Sequence, residues 1–429
     1  MTALRWCRPS GSDPHPEASL VSLVAMLLAF ESSLYSAVTP VLPHYAHTLH
    51  ASKPALGLLS AAYPAGLIPG SLIGGWIASR VGVRRTTMAG LILFGVAVAA
   101  FGFATDLVAL DALRAVQGLF CGLIWGGGLT WVIAASPPER RGATIGAAIA
   151  AATFGTLIGP LLGTAAVAIG TRPVFCTLGL ISLALAAWTR RHPAPPRTAN
   201  DDSPRPPLRA VLRTAGLPLG TWLITLEAMT IGATNVLLPL RLSRFGASAV
   251  AIGATFVAAA ALSTVLSPIA GRMSDRRGAR LLLVTGLGAS AVLVSTLVLS
   301  HTAAVLAPLS VIALGGPLAA FVIPAVSMMT MSAEAAGIAL VLVTTLGNLA
   351  YATGETIGAP VAAGLSQATS DAVPILLLAA LMLATLWPVS RLRRTPAPTP
   401  PVLQPEAAPG VLQPLTTGSS VTSRATSAA

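Results

Sequence analysis

The sequence predicts an all-α integral membrane protein, with twelve transmembrane helices arranged as two pseudo-symmetric six-helix bundles. Three observations carry this. Hydrophobic residues make up 54% of the chain against 9% charged ones, with mean hydropathy +0.78; a soluble domain carries about 25% charged residues to hydrate its surface. Apolar runs of the length that crosses a bilayer core as a helix recur throughout. The second half of the chain also repeats landmarks of the first at a fixed offset.

The apolar runs occupy 19–43, 54–78, 86–105, 107–132, 143–169, 173–189, 216–240, 247–271, 280–300, 303–331, 336–366 and 372–390. Between the sixth and seventh lies 190–215, Pro-rich, basic and too charged to enter lipid. It reads as a cytoplasmic linker between an N-terminal bundle, 19–189, and a C-terminal bundle, 216–390. Residues 1–18 carry Arg5, Arg8, Asp13 and Glu17, with no small-residue cleavage site behind the first apolar run, and read as a cytoplasmic tail and not a signal peptide. The Pro-, Ser- and Thr-rich stretch 391–429 reads as a disordered cytoplasmic tail.

A net charge of +12 raises the question of nucleic acid, and the placement of the charge answers it. Arg84, Arg85, Arg140, Arg141, Arg190, Arg191, Arg209, Arg213, Arg276, Arg277, Arg280, Arg393 and Arg394 fall in alternate loops or the C-terminal tail. The other loops hold little beyond Lys53, Arg172, Arg241 and Arg244. This asymmetry is the positive-inside signature and puts both termini and the linker in the cytoplasm. No nucleic-acid partner is expected. The bias toward arginine and alanine points to a GC-rich bacterial genome, so the expected location is a bacterial inner (plasma) membrane, crossed many times. Cys7, Cys121 and Cys176 are scattered without metal-ligand spacing.

A shift of 196 residues lays Glu31 on Glu227, Pro43 on Pro239, Gly75 on Gly271, Arg80 on Arg276 and Gly82 on Gly278. Chance does not align an intramembrane Glu, a helix-end Pro and a loop Arg at one offset. Six helices return each half to the same side of the bilayer, so the repeat is parallel, and a solute site is expected between the halves near the midplane.

Two loops carry related motifs. Gly75-Trp-Ile-Ala-Ser79-Arg80-Val-Gly82-Val-Arg84-Arg85 follows the second helix and Gly271-Arg-Met-Ser-Asp275-Arg276-Arg-Gly278-Ala-Arg280 the eighth. Glycines allow the tight turn and arginines hold it in the interface. Both resemble the G-x-x-x-D-R-x-G-R-R loop of the major facilitator superfamily. The resemblance implies a charge network that locks the cytoplasmic side, to which Ser79, in place of Asp, brings no charge. In the fourth helix Asp111-Ala-Leu-Arg114-Ala-Val-Gln117-Gly118 matches the R-x-x-Q-G pattern of proton-coupled members. An ion inside such a helix costs at least ~2.5–3.5 kcal/mol unless it finds a partner or water; Asp111 is one candidate partner. In the fifth helix Gly155-Thr-Leu-Ile-Gly159-Pro160-Leu-Leu-Gly163 is similar to the antiporter motif G-x-x-x-G-P-x-x-G-G, with Thr164 replacing the last Gly. Gly354-Glu-Thr-Ile-Gly358-Ala-Pro360 echoes it in the eleventh helix, and the Glu139-Arg140-Arg141-Gly142 loop adds to the match, which covers 19–390. The chain is thereby identified as a member of the superfamily, resembling its drug:proton antiporter branch of twelve helices. This implies an exporter of small organic molecules that exchanges them for protons by alternating access, using the proton gradient and no cofactor, as a monomer.

Glu31, Glu227 and Glu355 fall inside helices, where a carboxyl is functional by default because burying it is costly. Glu31 with Arg114 is the expected proton-coupling pair. Glu227, Thr230 and Thr234 share one helical face, and Asn348, Tyr351 and Glu355 another. Such polar stripes line a cavity or bond another helix. With Gln117, and with Tyr35, Trp125 and Tyr351 for cation–π contacts, they form the candidate cavity, suited to cationic solutes. Phosphate-binding loops, metal-ligand clusters and G-x-S-x-G elbows are missing from the sequence, so no enzyme is expected. His44, His47 and His50, at a helix end, read as a solvated group and not a metal site. Two other readings stay open: a symporter or facilitator importing a metabolite, and a non-transporting membrane sensor.

Overall fold

A computed structural model describes residues 16–136, 141–193, 214, 216–338 and 340–392. The N-terminal tail before Pro16, nearly all of the linker, the Glu139-Arg140 loop and the C-terminal tail beyond Leu392 lie outside them. Among the described residues all regular structure is helical. The first half comprises α1 (Pro16–Ser36), a 3-10 turn (Thr39–Val41), α2 (Leu42–Thr48), α3 (Lys53–Val81), α4 (Val83–Phe101), α5 (Leu107–Ala135), α6 (Arg141–Ile169) and α7 (Thr171–Thr189). The second comprises α8 (Leu217–Arg244), α9 (Ala249–Arg277), α10 (Ala279–Thr296), α11 (Ala303–Gly315), α12 (Pro317–Ala335), α13 (Leu340–Ala368) and α14 (Ala372–Ser390).

Among the described residues eleven segments are long and apolar enough to cross a membrane, with α1 to α2 counting as one and α11 with α12 as another. The eleventh expected run, α13, is not among them: it is 29 residues long but carries the polar stripe of Asn348, Tyr351 and Glu355. Two expected helices prove discontinuous. Pro40 has no N–H for the Ser36 carbonyl, and α1 stops at Ser36. The tenth breaks at Gly316 (φ −108°, ψ −83°), just before Pro317.

The repeat extends to backbone detail. Helices α3 and α9 have equal lengths of 29 residues and begin 196 positions apart. Ser52 and Ser248 cap them, each accepting from the backbone N–H three residues on. Gly82 and Gly278 end them at φ +99° and +84°, with their N–H groups bonded to Ala78 O (3.0 Å) and Ser274 O (2.9 Å). His50 (φ +50°) stands where the second half has Gly246 (φ +83°). The turn survives where the residue identity has changed.

Small residues set the helix crossings. Gly155, Gly159 and Gly163 of α6 lie against Ala29, Ser33 and Ala37 of α1 so closely that a Cβ on any of them would overlap a backbone carbonyl. Pro160 leaves the Thr156 carbonyl without its i+4 donor, and Ser36 of α1 donates to it at 3.1 Å. The antiporter-like motif is therefore the seat of α1. Gly354 and Gly358 of α13 lie in the same way on Thr225 and Met229 of α8.

Between the halves, α3 crosses α13 where a Cβ on Gly57 would lie 2.8 Å from that of Ala363. Helix α6 meets α9, with Thr164 donating to Ala249 O (3.4 Å), so the residue that replaces the motif's last Gly reaches across to the other half. Both contacts lie toward the end marked by Lys53. At the arginine-rich end a Cβ on Gly75 would meet nothing within 4 Å, and one on Gly271 only Ile323 of its own half, at 3.9 Å. The halves close at one end and part at the other. Gly159→Leu should therefore lower the melting temperature in detergent by several degrees, since overpacking costs about 1–3 kcal/mol. Gly75→Leu should leave it unchanged.

Candidate transport site

The site forms where α1 breaks. The last rung of its hydrogen-bond ladder runs from Ala37 N–H to Ser33 O (3.0 Å), and the next two carbonyls turn to Arg114 of α5. Arg114 Nη1 donates to Leu34 O (3.5 Å) and to Gln117 Oε1 (3.1 Å), and Nη2 to Tyr35 O (3.2 Å). Gln117 Nε2 donates onward to Ala97 O of α4 (3.2 Å). A buried guanidinium needs such acceptors, and orphaned buried carbonyls need such donors. Arg114 is thus a cap on a broken helix, and Gln117 its brace, 2% exposed, instead of a cavity residue.

Glu31, on the same helix and 2% exposed, accepts hydrogen bonds from Tyr63 of α3, from Trp125 Nε1 of α5 (2.7 Å) and from Ser32 (3.4 Å). Glu31 and Arg114, the expected coupling pair, form no direct ion pair among the described residues. Tyr63 stands between them, its hydroxyl on Glu31 and its ring 4.4 Å beneath the Arg114 guanidinium. Asp111 forms no ion pair with Arg114 among the described residues, and its Oδ1 is buried without a partner.

Glu355 of α13, also buried, accepts from Tyr351 one turn earlier (3.3 Å) and from Tyr35 of α1, in the other half. The Tyr35 and Tyr63 rings pack at 5.3 Å. One chain of contacts therefore runs from Trp125 and Glu31 through Tyr63 and Tyr35 to Glu355, across the junction of the halves. Glu227 of α8 is half-buried and close enough to Glu355 to feel its charge. Along α13, Asn348 is exposed, Tyr351 half-buried and Glu355 buried. Trp125 and Tyr35 are half-buried too. Exposure along α13 thus falls from Asn348 toward Glu355.

Thr230 and Thr234 are packed away from any open space. They are 0% and 2% exposed and donate to carbonyls of their own helix, Leu226 O (2.8 Å) and Thr230 O (2.7 Å). Sequence reasoning missed Tyr63. A signal was present: the chain has 4 tyrosines, and Tyr35, Tyr63 and Tyr351 meet here.

Of the loop motifs, Gly82 and Gly278 are helix stops. Ser79 is exposed and donates to Trp76 O of its own helix (2.8 Å). Arg80 stacks over the Trp76 ring at 4.1 Å. Arg84 donates to His192 O (3.2 Å), tying α4 to the end of α7. Arg276 is exposed, and the side chain of Asp275 lies outside the described residues.

Two helical bundles closed at one end, with buried carboxylates at their junction, define a membrane carrier of the two-bundle type. The model of the Major Facilitator Superfamily matches residues 21–355 and again 223–426, and the chain belongs to that family of transporters. It is 33% identical over 153 residues to the MFS-type transporter ppzB of Metarhizium rileyi (34% of this chain, 31% of that one). Over 174 residues it is 29% identical to the 3-(3-hydroxy-phenyl)propionate transporter of Escherichia coli K12 (40% and 43%). Over 150 residues it is 27% identical to the tetracenomycin C resistance and export protein of Streptomyces glaucescens (35% and 27%). The matched stretch thus spans between about a quarter and less than half of the length of these relatives. In structure it resembles a bacterial homologue of the human lysosomal transporter Spinster, in its inward-facing and occupied conformation, at 15% identity and TM-score 0.72 over 89% of this chain and 96% of that one.

Because Arg114 caps two carbonyls, Arg114→Ala leaves them unsatisfied, at about 1–3 kcal/mol each. Its melting temperature in detergent should fall without any gradient or solute. Glu31→Gln, whose amide oxygen can accept from Trp125 while its NH2 donates to the Tyr63 hydroxyl oxygen, should melt like the wild type.

Proposed function

We propose that this protein is a secondary active transporter that exports small organic molecules in exchange for protons by alternating access, acting as a monomer in a bacterial inner membrane. The observation that carries the reading is the pair of buried carboxylates, Glu31 and Glu355, linked across the halves through Tyr63 and Tyr35. A carboxyl held in a bundle core is costly as an ion. It can take a proton when its hydrogen bonds open toward one side and release it toward the other. The distribution of arginines supports an orientation with the parted end in the cytoplasm. The resemblance to an inward-facing Spinster homologue agrees with a cytoplasmic opening. Export is supported by the Gly155–Gly163 motif, which seats the helix carrying Glu31 and Tyr35, and by the likeness to the tetracenomycin C exporter.

Glu227 and Glu355, with Tyr35 and Tyr351 beside Glu355 and Trp125 beside Glu31, favour cationic aromatic or amphiphilic solutes, since carboxylates neutralise the cation and the ring faces attract it. The proton gradient alone supplies the energy, without a cofactor. A second reading is a symporter or facilitator that imports a small metabolite; the likeness to the 3-(3-hydroxy-phenyl)propionate transporter leaves room for it.

The test is solute flux in inside-out vesicles under an imposed pH gradient, across a panel of cationic and neutral drugs. Wild type should accumulate cationic compounds only while the gradient lasts. Glu31→Gln should lose that accumulation by tenfold or more. Accumulation indifferent to the gradient, or undiminished in Glu31→Gln, would overturn the reading.

A further inference from the structure

At the closed end, away from the carboxylates of the core, one aspartate joins the two halves. Asp371, in the turn before α14, has 10% of its side chain exposed. Only one of its two oxygens reaches the first half. Oδ1 meets Lys53 Nζ, from the first residue of α3 and, among the described residues, the one contributor from the N-terminal bundle, at 2.6 Å, and also accepts from Ser366 of α13. Lys53 Nζ donates in addition to Ser366 Oγ at 2.8 Å. Oδ2 meets Arg244 Nη2 at 2.6 Å and Arg241 Nε at 3.7 Å, both from α8. Arg241 is itself anchored, donating to Leu297 O (2.9 Å) and Ser300 O (3.0 Å). A pocket of about 470 Å³ opens beside the cluster, bordered also by His301.

This division is what a reversible gate requires. If the halves separate at this end, Lys53 leaves, while Asp371 keeps its arginines and no carboxylate is stranded. The residue that leaves is the single lysine among 26 basic residues, in a chain that otherwise uses arginine throughout. An ammonium is a compact, strongly hydrated charge with rotatable donors. It can bond Ser366 and Asp371 together and, once released, return to water.

We propose that Lys53 is the latch of the outer gate: its ammonium, held by Asp371 and Ser366, keeps the closed end shut, and its release accompanies opening to the outside. The proposal rests on the alternating-access reading and on the orientation given by the arginines. Burial would raise the Asp371 carboxyl, but the hydrogen bonds of Lys53 and Ser366 and the charges of Lys53 and Arg244 outweigh it and hold the group below the usual carboxylate range. The latch is therefore intact above that range and is lost only as pH falls through the lowered value. Lys53, Arg241, Arg244 and His301 are the titratable groups that face it. Mild external acid leaves the gate working.

The sole lysine makes its own reporter. A membrane-impermeant amine reagent, applied to the outer face of whole cells and read by peptide mass spectrometry, should modify Lys53 slowly in wild type and at least tenfold faster in Asp371→Asn. In a second arm, Ser366→Cys is placed in a chain without Cys7, Cys121 and Cys176. An impermeant maleimide should label it slowly beside Lys53 and severalfold faster beside Lys53→Gln, with melting curves confirming that both fold. Equal rates in both arms overturn the latch. Neither arm needs a transported solute, so a working latch in a protein without proton-driven flux would sink the antiporter reading and leave this one standing.

Discussion

A carboxylate inside a membrane bundle must be answered by donors from its surroundings, and the donors to Glu31 and Glu355 organise this molecule. Glu31 draws them from α3 and α5, so three helices of the first half converge on it. Glu355 draws one from its own helix and one from α1 of the opposite half. The hydroxyl of Tyr35 is thus both a ligand of a carboxylate and a bond between bundles. Loading Glu355 with a proton, or occupying it with a cation, acts directly on a contact that joins the halves.

Tyr35 can play this part because α1 does not run through the bilayer unbroken. The helix ends short of Pro40, the carbonyls of Leu34 and Tyr35 are left without helix donors, and Arg114 takes both. On the other side of α1, Ser36 satisfies the carbonyl that Pro160 frees in α6. In both helices the ladder is interrupted near a proline, and a side chain from a neighbouring helix donates to carbonyls left free there. The glycines of α6 bring the helices near enough for this. A conformational change in this region has to move α1 with its seat. That is a reason for the motif to lie against the helix that carries Glu31 and Tyr35.

Much of the fold was legible in the sequence because bilayer length and the 196-residue offset are both one-dimensional signals. The offset proved to govern caps such as Ser52 and Ser248, and also a turn that shares no residue identity, His50 and Gly246. What escaped were features set by three-dimensional proximity. Arg114 was expected beside Glu31 because both are intramembrane charges, yet the broken end of α1 is the nearer need, and nothing in spacing alone announces it. Tyr63 was passed over as an aromatic in an apolar helix. Thr230 and Thr234 share a helical face with Glu227, but a threonine in a helix can satisfy itself on the carbonyl one turn back, and these do. Asp371 and Lys53, 318 positions apart, gave no local pattern.

The central claim is that protons on the core carboxylates shift the balance between the two bundles. Spin labels at Val81 and Arg277, equivalent positions at the parted end, measure that separation in a chain freed of Cys7, Cys121 and Cys176. Double electron–electron resonance would then compare acidic with alkaline samples. The account predicts a distance distribution that changes with pH in the otherwise native chain and stops changing when Glu31→Gln and Tyr35→Phe are combined. A distribution that is the same at both pH values, or a response that survives the double substitution, would contradict it.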